Sequence, residues 1–314
     1  MVGVNDLLQH EPLGKYTTFK IGGPADYFYD AKTVDTFVDA ISLGRKRNLP
    51  IFILGGGTNI LIGDKGIRGL VIKNSTNSIR MKGAKGSVTG SRVVFVEADS
   101  GVNFNFLVRF TVEEGLSGLE MHLGLPGTVG GAIFMNSKWT HPTGYVGDAV
   151  YQAEILTSEN TRITVPNSYF HFGYDTSSIQ KTKDIVLKVV FSLQSDTKER
   201  LWNIANESIS YRRHSQPQGV FTAGCAFQNI SAAAALVAHT PNQTTSAGFL
   251  IDHAGLKGMR IGDAEISSVH ANFIVNRGAA TAADVVQLIE LVRAKVKEQF
   301  GVLLAEEIIR VGEF

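Results

Sequence analysis

The glycines of this sequence are grouped in short runs between strand-like segments, and this grouping constrains the fold more than any other feature. The chain has 33 glycines in 314 residues. Three glycine-rich turns fall within its first 136 residues, namely TTFKIGGPAD at 17–26, ILGGGTNIL at 53–61 and GLPGTVGGAIFMN at 124–136. Backbone without a Cβ lets a ligand approach closely, and hairpins alone do not need so many such turns. The pattern therefore favours a bound cofactor of dinucleotide size.

The second turn directly follows an apolar strand, so that the backbone N–H groups of Gly55, Gly56 and Gly57 can form an anion site for a pyrophosphate. A purely structural turn is the alternative. The segment lacks the G-x-G-x-x-G spacing and the Lys-Ser/Thr pair of a P-loop. An ordinary Rossmann domain and a P-loop nucleotide hydrolase are therefore excluded.

Length and composition describe an ordinary soluble globular protein. A chain of 314 residues is larger than most domains that have a single hydrophobic core, so two or three domains are expected. Apolar residues make up 44% of the chain, charged residues 19%, and the formal net charge is +1. A net charge this close to zero creates no strong electrostatic field that would favour binding to nucleic acid or to an anionic membrane. The single cysteine cannot form an internal disulfide, and no metal site is indicated.

The N-terminal segment MVGVNDLLQHEPLGKYTTF has no basic stretch followed by an apolar one, and no later segment reaches the roughly 18 uninterrupted apolar residues of a membrane span. We therefore expect a cytoplasmic protein that does not cross a membrane. We also expect a monomer whose partners are small molecules.

The order of apolar patterns predicts an α+β chain in three parts. Residues 33–50 form an amphipathic helix that ends at Pro50, followed by a strand, a glycine turn and a second short strand. Segments rich in Val, Ile and Phe predict a substantial sheet in the middle of the chain: LVIKN, VVFVEAD, YQAEILTSE, TRITV and DIVLKVVFSLQ. A helix over 198–214 opens the last part, which contains strand-like ANFIVN and a helix after the capping box of Thr281 and Asp284. We place the boundaries at 1–72, 73–197 and 198–314.

Six segments occur in an order and at a spacing that match a known family: YTTFKIGGPAD, ILGGGTNIL, GLPGTVGGAIFMN, AGFLIDHAGLKG, HANFIVN and FGVLLAEEIIRVG. The chain resembles the UDP-N-acetylenolpyruvoylglucosamine reductases over residues 12–312. The resemblance implies a vanillyl-alcohol-oxidase/PCMH-type FAD-binding fold of two subdomains, 1–72 and 73–197, and a smaller α+β substrate domain, 198–314.

The resemblance also implies the chemistry. A noncovalent FAD takes hydride from NADPH and passes it to UDP-N-acetylglucosamine enolpyruvate, and protonation of the resulting enolate gives UDP-N-acetylmuramate for peptidoglycan synthesis. Together with the glycine pattern, it assigns FAD binding to residues of the second and third turns: Gly55, Gly56, Gly57, Thr58, Asn59, Gly127, Thr128, Gly130 and Gly131.

The catalytic residues implied by the resemblance are Cys225 and Glu307. In the family a serine in an AGS.FKN turn donates the proton, and Cys225 stands at that position in AGCAFQN. A thiol, with a pKa near ~8.5, gives up its proton far more readily than a serine hydroxyl does. A packing thiol is the alternative, since a lone cysteine is usually a small hydrophobe. Glu307 in LAEEIIRVG matches a family glutamate that assists at the enolpyruvyl group, and an exposed carboxylate without a function is its alternative.

Tyr174, Arg213, Gln228 and Asn229 are the implied substrate-binding residues. Asp175 stands where the family has an arginine that contacts the substrate carboxylate, and a carboxylate cannot take over that contact because like charges repel. Arg212 and Arg213 are candidates to replace this cation. Gln228 replaces a family lysine near the diphosphate, and Lys138 is a candidate to restore that charge.

Two other functions remain open. The loss of the arginine at Asp175 favours a different FAD-dependent oxidoreductase of the same fold that acts on another alcohol or sugar. A noncatalytic nucleotide-binding relative is the second alternative, and the retained thiol argues against it.

Overall fold

The computed structural model of the protein describes residues 2–86, 92–141 and 143–314. In this part of the chain the helices are α1 (Val34–Lys46), α2 (Phe104–Glu113), α3 (Val129–Met135), α4 (Ile179–Thr182), α5 (Lys198–Ser215), α6 (Ala232–Val237), α7 (Ala247–His253) and α8 (Ala282–Phe300). The strands are β1 (Leu8–Pro12), β2 (Pro24–Ala31), β3 (Ile51–Leu54), β4 (Ile60–Ile62), β5 (Ile67–Asn74), β6 (Ile79–Lys85), β7 (Val93–Asp99), β8 (Leu116–Ser117), β9 (Lys138–Thr140), β10 (Thr143–Tyr145), β11 (Val150–Leu156), β12 (Arg162–Pro166), β13 (Ile185–Ser195), β14 (Arg260–Ile261), β15 (Ala264–Ile266), β16 (Ile274–Asn276) and β17 (Ile309–Val311). None of the helices described here is long and apolar enough to cross a bilayer.

Contacts divide the chain into two compact units. Unit 1 comprises Met1–Leu7, Phe28–Gly56 and Val71–Arg212, and unit 2 comprises Leu8–Tyr27, Gly57–Leu70 and Arg213–Phe314. One four-stranded sheet has the order β1-β2-β5-β3, and the residues of β2 and β5 are divided between the units. The division at 72 and 197 stays a prediction.

Unit 1 is built on an antiparallel sheet of order β12-β11-β13-β7-β6, with β8 paired to β13. Alternation sets which face is buried: Val94, Val96 and Ala98 of β7 point into the core, and the residues between them are more exposed. Helix α2 covers this face with Phe104 and Leu107, both fully buried. The strands predicted in the middle of the chain are confirmed.

Unit 2 is organised around α8. Thr281 Oγ1 accepts a hydrogen bond from Asp284 N, and the Asp284 carboxylate accepts one from Thr281 N, so the predicted capping box is confirmed. The predicted apolar stripe is buried against α7 and the β14-β15-β16 sheet: Val285, Leu288, Ile289, Val292 and Val296. Strand β17 pairs in parallel with β4.

The strand predicted over 271–276 is shorter than expected. Only Ile274–Asn276 form β16. The preceding residues turn, because Phe273 N donates to His270 O at 2.9 Å and Ser267 N donates to Phe273 O at 2.8 Å.

Candidate active site

Two of the predicted cofactor turns meet within unit 1. A Cβ built on Gly55, which follows β3, would stand 2.7 Å from Thr128 Oγ1. Thr128 is the N-cap of α3, and its Oγ1 accepts a hydrogen bond from Gly131 N at 3.4 Å. Gly127 O accepts a hydrogen bond from Phe104 N at 3.0 Å. Segments that lie far apart in the sequence therefore form one glycine-rich backbone surface. Gly56 directly follows Gly55 in the chain.

In unit 2, the second part of the GGGTN turn, from Gly57 onward, packs on the TTFKIGGPAD segment. Gly57 has a left-handed backbone (φ +63°), and a Cβ there would stand 2.3 Å from Tyr16 O. Its carbonyl accepts hydrogen bonds from Thr18 N at 3.0 Å and from Thr18 Oγ1 at 3.2 Å. Thr58 and Asn59 follow, and Asn59 Nδ2 donates to Glu307 O at 3.1 Å. A predicted cofactor residue is thus bonded to a predicted catalytic one.

Gly130 and Gly131 are neighbours that lack a Cβ for different reasons. A Cβ on Gly130 would stand 3.1 Å from both Cβ and O of Ser100, and Gly130 N donates to Ser100 O at 2.7 Å. Gly131 is exposed, and a Cβ there would meet only Thr128 Oγ1, at 3.6 Å, an ordinary contact. Glycine in a helix costs about 1 kcal/mol relative to alanine. Close packing against Ser100 therefore explains why residue 130 is a glycine. Packing does not explain the glycine at position 131.

Backbone pairing in unit 2 brings the segments of Cys225 and Glu307 side by side. Glu307 N donates to Ala226 O at 2.8 Å, and Gln228 N donates to Ala305 O at 2.9 Å. The predicted proton donor and the predicted carboxylate therefore lie on adjacent extended segments. Cys225 is partly exposed and forms no disulfide.

Asn272, a residue to which the sequence analysis gave no role, holds the other edge of the Cys225 segment. It is 3% exposed. Its Oδ1 accepts a hydrogen bond from Phe227 N at 2.9 Å, and its Nδ2 donates to Phe227 O at 2.8 Å. Its own carbonyl accepts a hydrogen bond from Ala226 N at 2.7 Å. The sequence signal for Asn272 was its place in the HANFIVN segment, where an amide side chain precedes an apolar strand.

The aspartate that stands in place of the family arginine is neutralised by a lysine in unit 1. Lys138 Nζ lies 2.7 Å and 2.8 Å from the two carboxylate oxygens of Asp175. The same ammonium stands 3.7 Å from the ring centroid of Tyr174. The carboxylate side chain is 4% exposed and the lysine side chain 15%. The structure thus engages Lys138 with Asp175, a contact that the sequence did not indicate.

The remaining predicted residues are distributed over both units. In unit 1 the Arg212 guanidinium carbon lies 4.2 Å from the ring centroid of Trp139. In unit 2 Arg213 is exposed and Gln228 is half-buried. Asn229 Oδ1 accepts a hydrogen bond from Ala247 N at 3.1 Å, so this side chain supports the start of α7. Over the described residues, no group of three or more His, Cys, Asp and Glu side chains is arranged to hold a metal ion.

His122 precedes the GLPG turn of unit 1 and is 1% exposed. Burial, with a further contribution from the positive charge of Arg212, lowers the pKa of His122 to about 4. Its Nδ1 is a buried atom with no hydrogen-bond partner among the described residues. The imidazole is therefore neutral at physiological pH.

Comparison with known proteins gives this geometry a family. Residues 216–311 match the C-terminal domain of UDP-N-acetylenolpyruvoylglucosamine reductase, and residues 25–165 match an FAD-binding domain. The reductase of that name from Desulfosudis oleivorans is 35% identical over 311 residues, which cover 96% of this chain and 94% of the relative. That from Lachnoclostridium phytofermentans is 36% identical over 305 residues, covering 97% and 92%. The chain belongs to the UDP-N-acetylenolpyruvoylglucosamine reductase family.

Solved structures agree with this family. The UDP-N-acetylenolpyruvylglucosamine reductase of Thermus caldophilus matches with a TM-score of 0.76 and 32% identity, covering 97% of this chain and 99% of the other. A VAO-type flavoprotein from Myceliophthora thermophila matches with a TM-score of 0.52 at 12% identity over 88% of this chain and 70% of its own, which shows a shared fold. The predicted α+β fold of VAO type, the reductase family and an FAD-dependent enzyme are confirmed.

The glycine surface of unit 1 fits the FAD that a UDP-N-acetylenolpyruvoylglucosamine reductase binds. At Gly131 it has an exposed helical position with unused room for a methyl group. We propose that Gly131 lacks a side chain so that the cofactor can approach the first turn of α3.

Substitution of these two glycines separates packing from cofactor approach. For Gly131→Ala we expect an unchanged or slightly higher melting temperature of the FAD-free protein, because alanine favours the helix by about 1 kcal/mol, and a weaker affinity for FAD measured by flavin fluorescence. For Gly130→Ala we expect a lower melting temperature, because Ser100 must move. Wild-type FAD affinity in Gly131→Ala would contradict the proposed approach.

The buried His122 makes the stability of this family member pH-dependent. Its folded pKa lies below the ordinary value of about 6.5, so its neutral form stabilises the fold fully above that pH, and this contribution is lost as the pH falls from 6.5 toward 4. The loss amounts to roughly 3 kcal/mol. We expect the free energy of unfolding in urea to fall more steeply over this range in wild type than in His122→Asn, and equal slopes would show that folding does not shift the pKa of His122.

Proposed function

We propose that this chain reduces UDP-N-acetylglucosamine enolpyruvate to UDP-N-acetylmuramate, with NADPH as the reductant and Cys225 as the proton donor. Bound FAD supplies the chemistry of hydride transfer. The protein must hold the enolpyruvyl group, stabilise the enolate that develops beside its carboxylate, and deliver one proton to carbon. The expectations of a monomer and of a cytoplasmic location stay predictions.

The observation that carries the proposal is the backbone pairing of the segments of Cys225 and Glu307. Two hydrogen bonds, between Glu307 N and Ala226 O and between Gln228 N and Ala305 O, fix the register of these segments. In the proposed reaction the thiol of Cys225 and the carboxylate of Glu307 act on the same enolpyruvyl group. The S–H bond of Cys225 breaks as the new C–H bond forms, and the thiolate takes a proton back from solvent. Glu307 assists enolate stabilisation or proton delivery.

A thiol suits this step, because its ordinary pKa of about 8.5 keeps it protonated at neutral pH yet makes it far more acidic than a hydroxyl. General acid groups contribute roughly 10²- to 10⁴-fold to a rate. Backbone hydrogen bonds from Ala226 N to Asn272 O and from Gln228 N to Ala305 O restrain the chain next to Cys225, and this restraint supports the positioning of the thiol.

Separate measurement of the two half-reactions tests this role. For Cys225→Ala we expect NADPH to bleach the flavin absorbance at the wild-type rate, while the enolpyruvyl sugar nucleotide restores it roughly 10²- to 10⁴-fold more slowly. Cys225→Ser should retain much of the second rate, since a hydroxyl can also donate. Cys225→Ala that turns over as fast as wild type would show that the thiol is not the donor.

A further inference from the structure

The segment that carries Cys225 pairs irregularly with β16 and the residue before it. Two isolated antiparallel bridges join these parts of unit 2, one between Phe221 and Asn276 and one between Cys225 and Phe273. From the first bridge to the second, the segment of Cys225 advances four residues and the opposing segment only three. One extra residue therefore lies directly ahead of the thiol, which is the arrangement of a β-bulge.

Gly224 gives this bulge its backbone conformation. Its φ is +86°, in the left-handed region that favours glycine. A Cβ built on Gly224 would meet no atom of the described residues within 4 Å beyond its chain neighbours, so the backbone angle and not packing requires the glycine. Bulges with a left-handed glycine bend the strand and change the direction of the side chains next to them. The side chain that follows here is the Cys225 thiol.

The Thr222 hydroxyl stands in the place of a backbone hydrogen bond that the bulge interrupts. Ala226 N donates to Asn272 O at 2.7 Å, and in that antiparallel register Gly224 N would donate directly to Ile274 O. Instead, Thr222 Oγ1 accepts a hydrogen bond from Gly224 N at 3.3 Å and donates one to Ile274 O at 2.6 Å. The hydroxyl thus joins the two segments across the gap that the extra residue opens.

Both ends of this bridge lie in a largely buried part of unit 2. Ile274 is 1% exposed, and Ala223, between Thr222 and Gly224, is 2% exposed. Buried carbonyl groups are nearly always hydrogen-bonded, so the carbonyl of Ile274 favours a state in which the hydroxyl is in place. The bulge ahead of the thiol therefore depends on a side chain three residues before Cys225.

We propose that the Thr222 hydroxyl is a positioning group for proton transfer: by bridging the bulge, it holds the Cys225 thiol in the direction from which the proton is donated. This inference rests on the proposed function. Thr222 exchanges no proton with the substrate and acts only through the backbone of residues 222–225.

Thr222→Val and Thr222→Ser test the inference, because valine keeps the shape without the hydroxyl and serine keeps the hydroxyl. The first measurement is the rate at which the enolpyruvyl sugar nucleotide reoxidises the NADPH-reduced flavin. For Thr222→Val we expect this rate to fall roughly 10- to 100-fold, since a displacement of about 1 Å can cost ~100-fold in rate. NADPH should reduce the flavin at the wild-type rate, and Thr222→Ser should reoxidise it nearly as fast as wild type.

A double-mutant cycle with Cys225→Ala separates positioning of the thiol from general support of the fold. We expect Thr222→Val to slow flavin reoxidation when the thiol is present and to add no further loss in Cys225→Ala. Equal losses in both backgrounds, or a wild-type rate in Thr222→Val, would overturn the inference. The control Thr240→Val removes another buried hydroxyl of unit 2, which donates to Thr244 O at 2.9 Å, and should leave the reoxidation rate unchanged.

Alkylation by iodoacetamide tests the inference without the reaction, because Cys225 is the only thiol of the chain. In the FAD-loaded enzyme we expect Thr222→Val to be alkylated several-fold faster than wild type, since a segment that has lost a hydrogen bond opens more often. Thr222→Ser and Thr240→Val should react as wild type does, and an unchanged rate in Thr222→Val would overturn the inference. A wild-type enzyme that does not turn over the enolpyruvyl ligand would instead overturn the proposed function, and the alkylation rates would still decide whether Thr222 positions the thiol.

Discussion

The position of Cys225 depends on the hydrogen bonds that one buried amide, Asn272, makes to the segment that carries the thiol. Its side chain bonds to both the N–H and the carbonyl of Phe227, and its carbonyl accepts from Ala226 N. A buried polar group left without a partner costs about 1–3 kcal/mol, so the loss of any of these bonds destabilises the segment. The opposite edge of the segment bonds to the chain around Glu307. The spacing between the backbone segments of Cys225 and Glu307 is therefore set by hydrogen bonds.

In unit 1 a buried asparagine amide also binds neighbouring backbone, at the end of α3. Asn136 takes a left-handed backbone (φ +45°), its Nδ2 donates to Gly173 O, and its Oδ1 accepts from Gly147 N. Phe134 O accepts further hydrogen bonds from Ser177 Oγ at 2.7 Å and Gln180 Nε2 at 2.8 Å. The loop that carries Tyr174 and Asp175 is thus fastened to the helix that follows the GLPGT turn. In each unit, residues with a predicted role lie on segments that buried amides hold in place.

Local signals were sufficient to predict most of the elements. The stripe of α8 follows from helical periodicity and the capping box at Thr281 from its T-x-x-D spacing, whereas the adjacency of Gly55 and Thr128 was not predicted. The partner of Asp175 was not predictable in this way. The pairing of Lys138 with Asp175 produces no periodic pattern in the sequence, because the contact depends on how a hairpin and a loop fold against α3. The role of Asn272 was hidden for the same reason.

The hairpin of β9 and β10 explains how unit 1 keeps two cations apart. Lys138 and Trp139 are consecutive residues of β9, and successive side chains of a strand point to opposite faces. Lys138 therefore reaches Asp175, while Trp139 lies against the guanidinium of Arg212 on the other face. The quadrupole of an aromatic face stabilises a cation, whereas a carboxylate stabilises it by pairing opposite charges. One short strand therefore holds two cations in different environments.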